Sequence, residues 1–570
     1  MMNQLQWSAT KRTGYIKQAR DNSFDIIIIG GGITGAGVAR EAALRGLSFC
    51  LVDKNDFAFG TSSRSSKLAH GGIRYLKNAE LKLVRESTTE RNWLRCHFPN
   101  LIRPLGFMLC VYKNEGKKKL IEMRAAVKAY DALSDTGSKF KNYRKSKVFK
   151  ADFVEEFEPA VTQSDPDLGS MIEAGFYYDT NVDDARLTVE TIKEGLYASK
   201  GSSVALNYTQ VIDYTRGDSG KVNGVRVKDV LGGMEFEIKG KVVTACGGIW
   251  TDEVLKKTDF GMEKIYPTKG VHIIVPNERL GNRNAFGIKS FDDGRFFFVI
   301  RRGKVSVIGT TDTDYFKESK NLDEPWCKKE DCDYLLNTVN RLFPRARLTY
   351  KDVIGTYAGI RPLIKQAGAK NESAVSREHE IFESKDGVVA LAGGKLTTYR
   401  LMAEQLLFYL VEKGFLPAFT EAGFGKKGFS KQPFLVGMTR AEFDKIVDEK
   451  DLGAVALPDQ LDYLHQQFGK QGIEILEAIK EEPGLGKPIL EGYPHCRAEI
   501  EFILKNENAP CLIDVLCRRT EAQWMIWHYK QDKLARHVAR IMAEHYGWSE
   551  AQEKSQVTSY MEYVKKTIWF

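Results

Sequence analysis

The chain has no C-x-x-C pair and no cysteine–histidine cluster with zinc spacing. Its nine cysteines, an odd number, are scattered from Cys50 to Cys517. That pattern excludes a disulfide or metal framework and reads as thiols in a reducing compartment. No segment reaches the roughly 18 uncharged apolar residues of a spanning helix. The N-terminal segment has no apolar core of a secretory signal. Lys11, Arg12, Lys17 and Arg20 precede any acid there, a faint likeness to a transit peptide that reads better as a surface helix. No repeat of fixed period and no long low-complexity stretch is present, so a solenoid is excluded. Charge of one sign is also scarce: 84 basic against 75 acidic residues leave +9 over 570 residues. Most of that excess lies between Lys113 and Lys150, where twelve basic residues face four acidic ones. A protein-wide basic field for nucleic acid is therefore absent.

What is present is ample apolar matter. With 43% hydrophobic and 11% aromatic residues, wholesale disorder is excluded and two to four domains are expected, at about 150 residues each. Asp25 to Ile29 is a continuous apolar run after its first residue, as in a strand buried on both faces of a parallel sheet. It enters Gly30-Gly31-Gly32-Ile33-Thr34-Gly35, then a helical stretch to Gly46, then a strand Ser48 to Val52 ending at Asp53. Gly30, Gly32 and Gly35 fill G-x-G-x-x-G. Gly30 permits the turn, Gly32 lets the backbone approach a pyrophosphate, and Gly35 lets helix and strand close up. Phosphates would sit on the free N–H groups of the helix start. Asp53 stands where an acid bonds ribose hydroxyls. This is a dinucleotide site, and the motif alone does not choose between FAD and NAD.

Further signals follow. Gly60 to Lys67, containing Thr61, Ser62, Ser63, Arg64 and Lys67, is dense in hydroxyls and cations. It suits a phosphate or ring held deep in the protein, and Arg64, Lys67, His70 and Arg74 have near-helical spacing. Lys241 to Gly248 reads as a strand closing on the double glycine Gly247-Gly248. Val388 to Gly394 is another, after which Lys395, Leu396, Thr397, Thr398 and Tyr399 open a helix whose N-terminus can stabilise negative charge. Gly270 to Pro276, Gly294 to Ile300 and Val305 to Gly309 read as strands of a mainly antiparallel sheet. Beyond Leu416 the periodicity turns helical, in Leu461 to Phe468, Ala498 to Lys505 and Ala522 to Tyr546. Leu120, Ile121, Met123, Val127, Tyr130 and Leu133 recur at helical spacing beside Lys117, Lys118, Lys119, Arg124 and Lys128. Such a helix either lies on a membrane surface or packs on its own domain.

Eight motifs in order carry a resemblance: Gly30 to Gly35, Gly60 to Lys67, His70 to Leu76, Lys269 to His272, Gly309 to Asp312, Gly359 to Leu363, Ser376 to His379 and Gly393 to Arg400. Together the chain resembles the FAD-dependent glycerol-3-phosphate dehydrogenase family over roughly residues 25–548, and Asp514 to Thr520 resembles that family's helical domain. The resemblance implies an α/β, glutathione-reductase-like FAD-binding Rossmann fold with an inserted antiparallel-sheet cap domain and a C-terminal all-helical domain. The FAD part would comprise about 24–95, 170–255 and 355–415, the cap about 96–169 and 256–354, and the helical domain 416–570. Two departures bear on type. The short chain between Arg361 and Arg377 lacks the insertion of peroxide-forming oxidases, and no Ca²⁺ loop follows the helical domain, which points to a bacterial-type dehydrogenase. Gly247-Gly248-Ile249-Trp250 stands where the family has Gly-Pro-Trp.

The resemblance implies oxidation of sn-glycerol 3-phosphate to dihydroxyacetone phosphate, with electrons passing through FAD to a membrane quinone. It implies a cytoplasmic protein held peripherally on the inner face of the cell membrane, the quinone favouring the basic amphipathic stretch as the docking element, with no metal and no nucleic acid, and it leaves room for a homodimer. Arg361 and Arg377 would clamp the phosphate. Arg74, Tyr75 and Thr311 would face substrate, and Lys395 would sit beside the flavin. Either His70 or His272 would be the base, and the motifs do not rank them. Gly30, Gly32, Gly35, Asp53, Thr61, Ser62, Ser63, Lys67, Gly247, Gly394, Leu396, Thr397 and Thr398 would hold FAD. An oxygen-using glycerol-3-phosphate oxidase, an amino-acid or amine oxidase of the same fold, and a non-catalytic flavin-containing scaffold are the competing readings.

Overall fold

The computed structural model describes residues 6–136, 139–261, 263–290, 293–315, 319, 321–365, 378–419 and 425–568. The buried run Ser23–Ile29 forms the centre of the first sheet, parallel both to Phe49–Val52 and to Glu235–Ala245. Val389–Gly393 extends it in the same sense beyond Glu235–Ala245. Every side chain from Ile26 to Val52 that these strands carry is buried, one face under helices and the other largely under the strands Thr209–Arg216 and Val222–Asp229, which is why the sequence shows unbroken apolar runs instead of alternation. The helix Ile33–Leu44 packs on one side with Ala36, Val38, Ala39, Ala42 and Ala43 buried. Small residues are required there because the helices Asp184–Ala198 and Tyr399–Glu412 press on it.

The second sheet is antiparallel in all its pairings except that of Ala285–Lys289 with Arg103–Tyr112. Near one edge of it, Ile265–Pro276 lies between Gly355–Ile364 and Val305–Gly309. The strands Gly169–Asn181 and Gly355–Ile364 belong to this sheet, whereas the sequence reading gave residues 170–181 and 355–364 to the FAD-binding part. An apolar strand carries no mark of the sheet it will join, so the border shifts.

The C-terminal part is helical around a core that includes Phe443, Leu464, Ile503, Leu534 and Tyr560. The helices Pro458–Phe468 and Arg497–Asn506 lie where periodicity placed them. The single helix expected over 522–546 is instead broken into Ala522–Met525, a turn at His528–Lys530, and Gln531–Tyr546. Gln531 supports the break: its buried side-chain amide donates to the carbonyls of Gln523 and Ile526, which a continuous helix would have consumed internally, and shares that of Ala522 with the Ile526 N–H. All nine cysteines are free.

The basic amphipathic stretch forms the helix Gly116–Asp135. Its apolar stripe is spent on the protein itself. Met123, Val127 and Tyr130 are buried, and Gly175 of the second sheet leaves just the room that Met123 fills. Lys117, Lys118, Arg124 and Lys128 stay exposed, and Ile121 alone among the large apolar residues of this helix is open to solvent, at 64%. Among the described residues no helix is long and apolar enough to cross a membrane.

Candidate functional site

Two cavities meet between the sheets. The larger, of about 430 Å³, lies along the ends of the first sheet's strands. Its wall includes Gly30, Gly32, Asp53, Thr61, Ser62, Gly247, Gly394, Lys395 and Leu396, as well as Phe59 and Trp250. Gly30 has φ +110°, and a Cβ there would collide with the carbonyl of Cys246 at the end of the neighbouring strand. Only glycine satisfies both demands. Gly35 lines neither cavity: a Cβ on it would strike the Gly30 carbonyl, so helix and strand pack closely there. Asp53 accepts from the backbone N–H groups of Gly31, at 2.7 Å, and Asn55, at 2.9 Å. Burial, opposed by those two bonds, pushes its pKa up to about 6. Ser62 Oγ accepts from the N–H of Ile33, so one orphan donor of the helix start is already capped.

This wall fits a dinucleotide. It offers a glycine cradle at a helix N-terminus, a carboxylate at the end of the second strand, and a long cleft between strand ends and aromatic rings. Residues 393–396 close its far end. Gly393 and Gly394 both have positive φ, 76° and 79°, and lead into the turn Leu396–Thr398 and the helix Tyr399–Glu412.

The smaller cavity, of about 180 Å³, shares Thr61, Ser65, Pro362 and Gly393 to Leu396 with the larger. Arg64, Ser66, His70, Tyr75, His272, Thr310, Arg361 and Thr397 complete much of its wall. Glycines of the second sheet make the room. Gly270 and Gly359 are paired across adjacent strands. A Cβ on Gly270 would meet the Arg361 guanidinium and Thr310 Oγ1, and one on Gly359 would meet the Arg64 backbone. Gly309, opposite His272, has its Cβ position filled by the His272 ring. The sequence displayed these glycines inside motifs without showing what they were clearing.

His272 is buried and stacked on Tyr357 with ring centroids 4.7 Å apart. Its Nε2 shares a hydrogen bond with Ser66 Oγ at 2.9 Å. Burial, then the positive charges of Arg361 and Lys67, hold its pKa well below 6.5, so the ring is neutral at neutral pH. His70 lines the same cavity, its backbone N–H and C=O both tied to Thr397 Oγ1. Arg361 is oriented by Asp312 at 2.9 Å and by Thr310 Oγ1 at 2.9 Å. The Lys395 ammonium lies 4.0 Å from the centre of the Tyr75 ring.

Several expected residues sit elsewhere. Lys67 lines neither cavity: its ammonium is buried at 2.6 Å from Asp184 and 3.3 Å from Glu521. The near-helical spacing of residues 64–74 meant nothing, because this segment is a short turn, the strand Leu68–Ala69 and the turn Ile73–Asn78. Arg74 borders a small adjoining space and donates to the Tyr75 hydroxyl at 3.1 Å. Thr311 accepts from the Val271 N–H and faces a separate cleft. Ser63 and Thr398 bond their own turns. Arg377 lies outside the described residues. Ser66, Thr310 and Tyr357 are site residues to which sequence reasoning gave no role, and Arg64 was noted there only as one cation of a run. Ser66 and Arg64 lay inside a motif already noted, while Tyr357 carried no local signal.

A family model described as FAD dependent oxidoreductase matches residues 25–405, and one described as the C-terminal domain of alpha-glycerophosphate oxidase matches 435–553. The aerobic glycerol-3-phosphate dehydrogenase of Staphylococcus haemolyticus is 34% identical over 547 residues, covering 94% of this chain and 93% of that protein. Glycerol-3-phosphate dehydrogenase 2 of Mycobacterium bovis is 34% identical over 97% of this chain and 90% of its own. The crystal structure of a Bacillus halodurans glycerol-3-phosphate dehydrogenase complexed with FAD superposes with a TM-score of 0.76 at 29% identity, covering 98% of both chains.

Proposed function

This chain belongs to the FAD-dependent glycerol-3-phosphate dehydrogenase family, and from that premise and the geometry above we propose that it oxidises sn-glycerol 3-phosphate to dihydroxyacetone phosphate. One observation carries the reading: a dinucleotide cleft and a small cation-lined cavity share one wall, the Gly393 to Leu396 turn. FAD, held by Gly30, Gly32, Asp53, Thr61, Ser62, Gly247, Gly394 and Leu396, supplies the two-electron acceptor. Arg361, braced by Asp312, offers its guanidinium to the substrate phosphate, a group that suits a dianion. Arg377 is proposed as a further clamp. His272 is the base. Being neutral, it accepts the secondary hydroxyl's proton, and its bond to Ser66 fixes the ring. His70 and Tyr75 shape the pocket. Lys395 and the helix start behind it stabilise negative charge at the shared wall.

The electrons pass, in this reading, to a quinone in the membrane, with the chain docked peripherally on the cytoplasmic face. The apolar stripe of Gly116–Asp135 is not available for insertion, so docking rests on its outward cations and Ile121. Each such cation near an anionic surface contributes about 1 kcal/mol.

Anaerobic mixing with glycerol 3-phosphate should bleach the flavin, and His272→Asn should slow bleaching by about 10²- to 10⁴-fold with FAD still bound. Unchanged bleaching in that variant returns the role of base to His70. Bleaching by amino acids in place of glycerol 3-phosphate rejects the substrate. Reversal of Lys117 to Lys119 to Glu should abolish co-sedimentation with anionic vesicles, and retained binding rejects this docking face.

A further inference from the structure

Lys67 sits in a cage of charge that the proposed reaction does not use. Its ammonium is 2.6 Å from Asp184 and 3.3 Å from Glu521. Burial works against the ammonium, yet Asp184 and then Glu521 outweigh it and hold its pKa above the ordinary lysine value. Asp183, Asp184 and Glu521 lie close enough to form a cation seat, and Lys67 together with Arg302, 2.7 Å from Glu521, meets their charge. Three parts of the molecule converge here. Lys67 belongs to the segment that runs along the small cavity, Arg302 to the second sheet, and Glu521 to the helical domain. Glu521 has φ +57° and Lys67 φ +54°, conformations that a non-glycine residue keeps only where its surroundings impose them.

The consequence falls on Ser66. Asp184 accepts from the Ser65 N–H, at 3.0 Å, and from Ser65 Oγ, at 2.6 Å, as well as from Lys67. Tyr357 donates its hydroxyl to the Ser65 carbonyl at 3.0 Å while its ring supports His272. Both neighbours of Ser66 are thus anchored, and the Ser66 hydroxyl is aimed at His272 Nε2. The Lys67 ammonium also lies over the rings of Tyr357, at 5.7 Å, and Trp524 of the helical domain, at 5.0 Å.

We propose that Glu521, supplied by the helical domain, is a positioning residue for the His272 base, acting through Lys67 and the Ser65–Ser66 segment. The helical domain on this view completes the substrate cavity from behind. The inference rests on the assignment of His272 as base.

The test compares holoenzymes carrying Glu521→Gln, Glu521→Asp, Glu507→Gln and His272→Asn, with all rates taken per bound flavin. Glu507 holds Arg186 on the helix that carries Asp184, across the same domain boundary, without touching Lys67. Glu521→Gln should slow flavin reduction by glycerol 3-phosphate about tenfold, with KM within about twofold. Glu521→Asp should recover most of the rate. The groups that set the field on His272 are Arg361 and Lys67, and those on Lys67 are Asp184, Glu521, Asp183 and Tyr357. Removing the Glu521 charge leaves Lys67 less neutralised, so the acid limb of the pH–rate profile should move to lower pH. Glu507→Gln should cost melting temperature but keep rate and limb. The inference is overturned by a Glu521→Gln rate within about twofold of wild type, by a loss without a shift of the limb, by an equal loss in Glu507→Gln, or by a Glu521→Gln protein that no longer holds flavin. A wild-type rate in His272→Asn would instead remove the base assignment beneath it.

Discussion

His272 and Asp53 are both buried, and burial moves their pKa values in opposite directions because it penalises whichever form is charged. For His272 the charged form is the imidazolium. Below pH 6.5 the unfolded chain takes up a proton that the folded site refuses, so the unfolded state binds more protons and stability falls with falling pH. The melting temperature of wild type should therefore drop more between pH 7 and about pH 5 than that of His272→Asn. Equal slopes would show that the ring is not held neutral. For Asp53 the charged form is the carboxylate, which accepts from Gly31 and would accept ribose hydroxyls. Its pKa of about 6 makes FAD affinity fall as the pH drops through that value, and Asp53→Asn should weaken binding and flatten the dependence. Flavin fluorescence titrations at several pH values measure both. At this scale the sequence was most informative where a residue type is forced by space. Gly30, Gly35 and Asp53 were legible because a turn, a close approach and a strand end admit few alternatives.

The helix Gly116–Asp135 shows where element-level reading stops. Periodicity and charge established an amphipathic helix, and two fates were consistent with it. Tertiary contact decided that the stripe Met123, Val127 and Tyr130 is core, with the Tyr130 hydroxyl bonded to buried Asp179. Met123→Ala should cost about 2–4 kcal/mol of unfolding free energy by leaving a cavity, whereas Ile121→Ala should fall within about 0.5 kcal/mol. Urea denaturation distinguishes the two, and similar small losses would mean that the stripe is not packed. The same limit applies to the segment from Arg64 to Arg74. Its cations suggested one helical face, but turns and a two-residue strand send Arg64 and His70 to the small cavity, Lys67 into an ion cage and Arg74 to an adjoining space.

Across the whole molecule the helical domain is tied to the FAD-binding part by buried charge. Asp56 accepts from Arg518 at 2.6 Å and from Arg519 at 3.0 Å, and Arg186 donates to Glu507 and to the Arg519 carbonyl. All these groups are nearly or wholly buried. Removing one partner strands the other without water. Arg519→Met should therefore destabilise the protein by about 3–5 kcal/mol, and calorimetry should show one unfolding transition in which both parts take part. Two separated transitions in wild type would mean that the boundary is weak.

The sequence by itself determined the parallel core of the first sheet, the dinucleotide turn, the helical C-terminal part and the family, because runs of apolar residues, forced glycines and ordered motifs are local in the chain. Only the tertiary structure decided which strands join the second sheet, that Ser66 and Tyr357 contact His272, and that Lys67 lies in the ion cage at the domain boundary and lines neither cavity. Those outcomes depend on residues hundreds of positions apart competing for the same charge and the same space, and nothing in a single segment records the result of that competition.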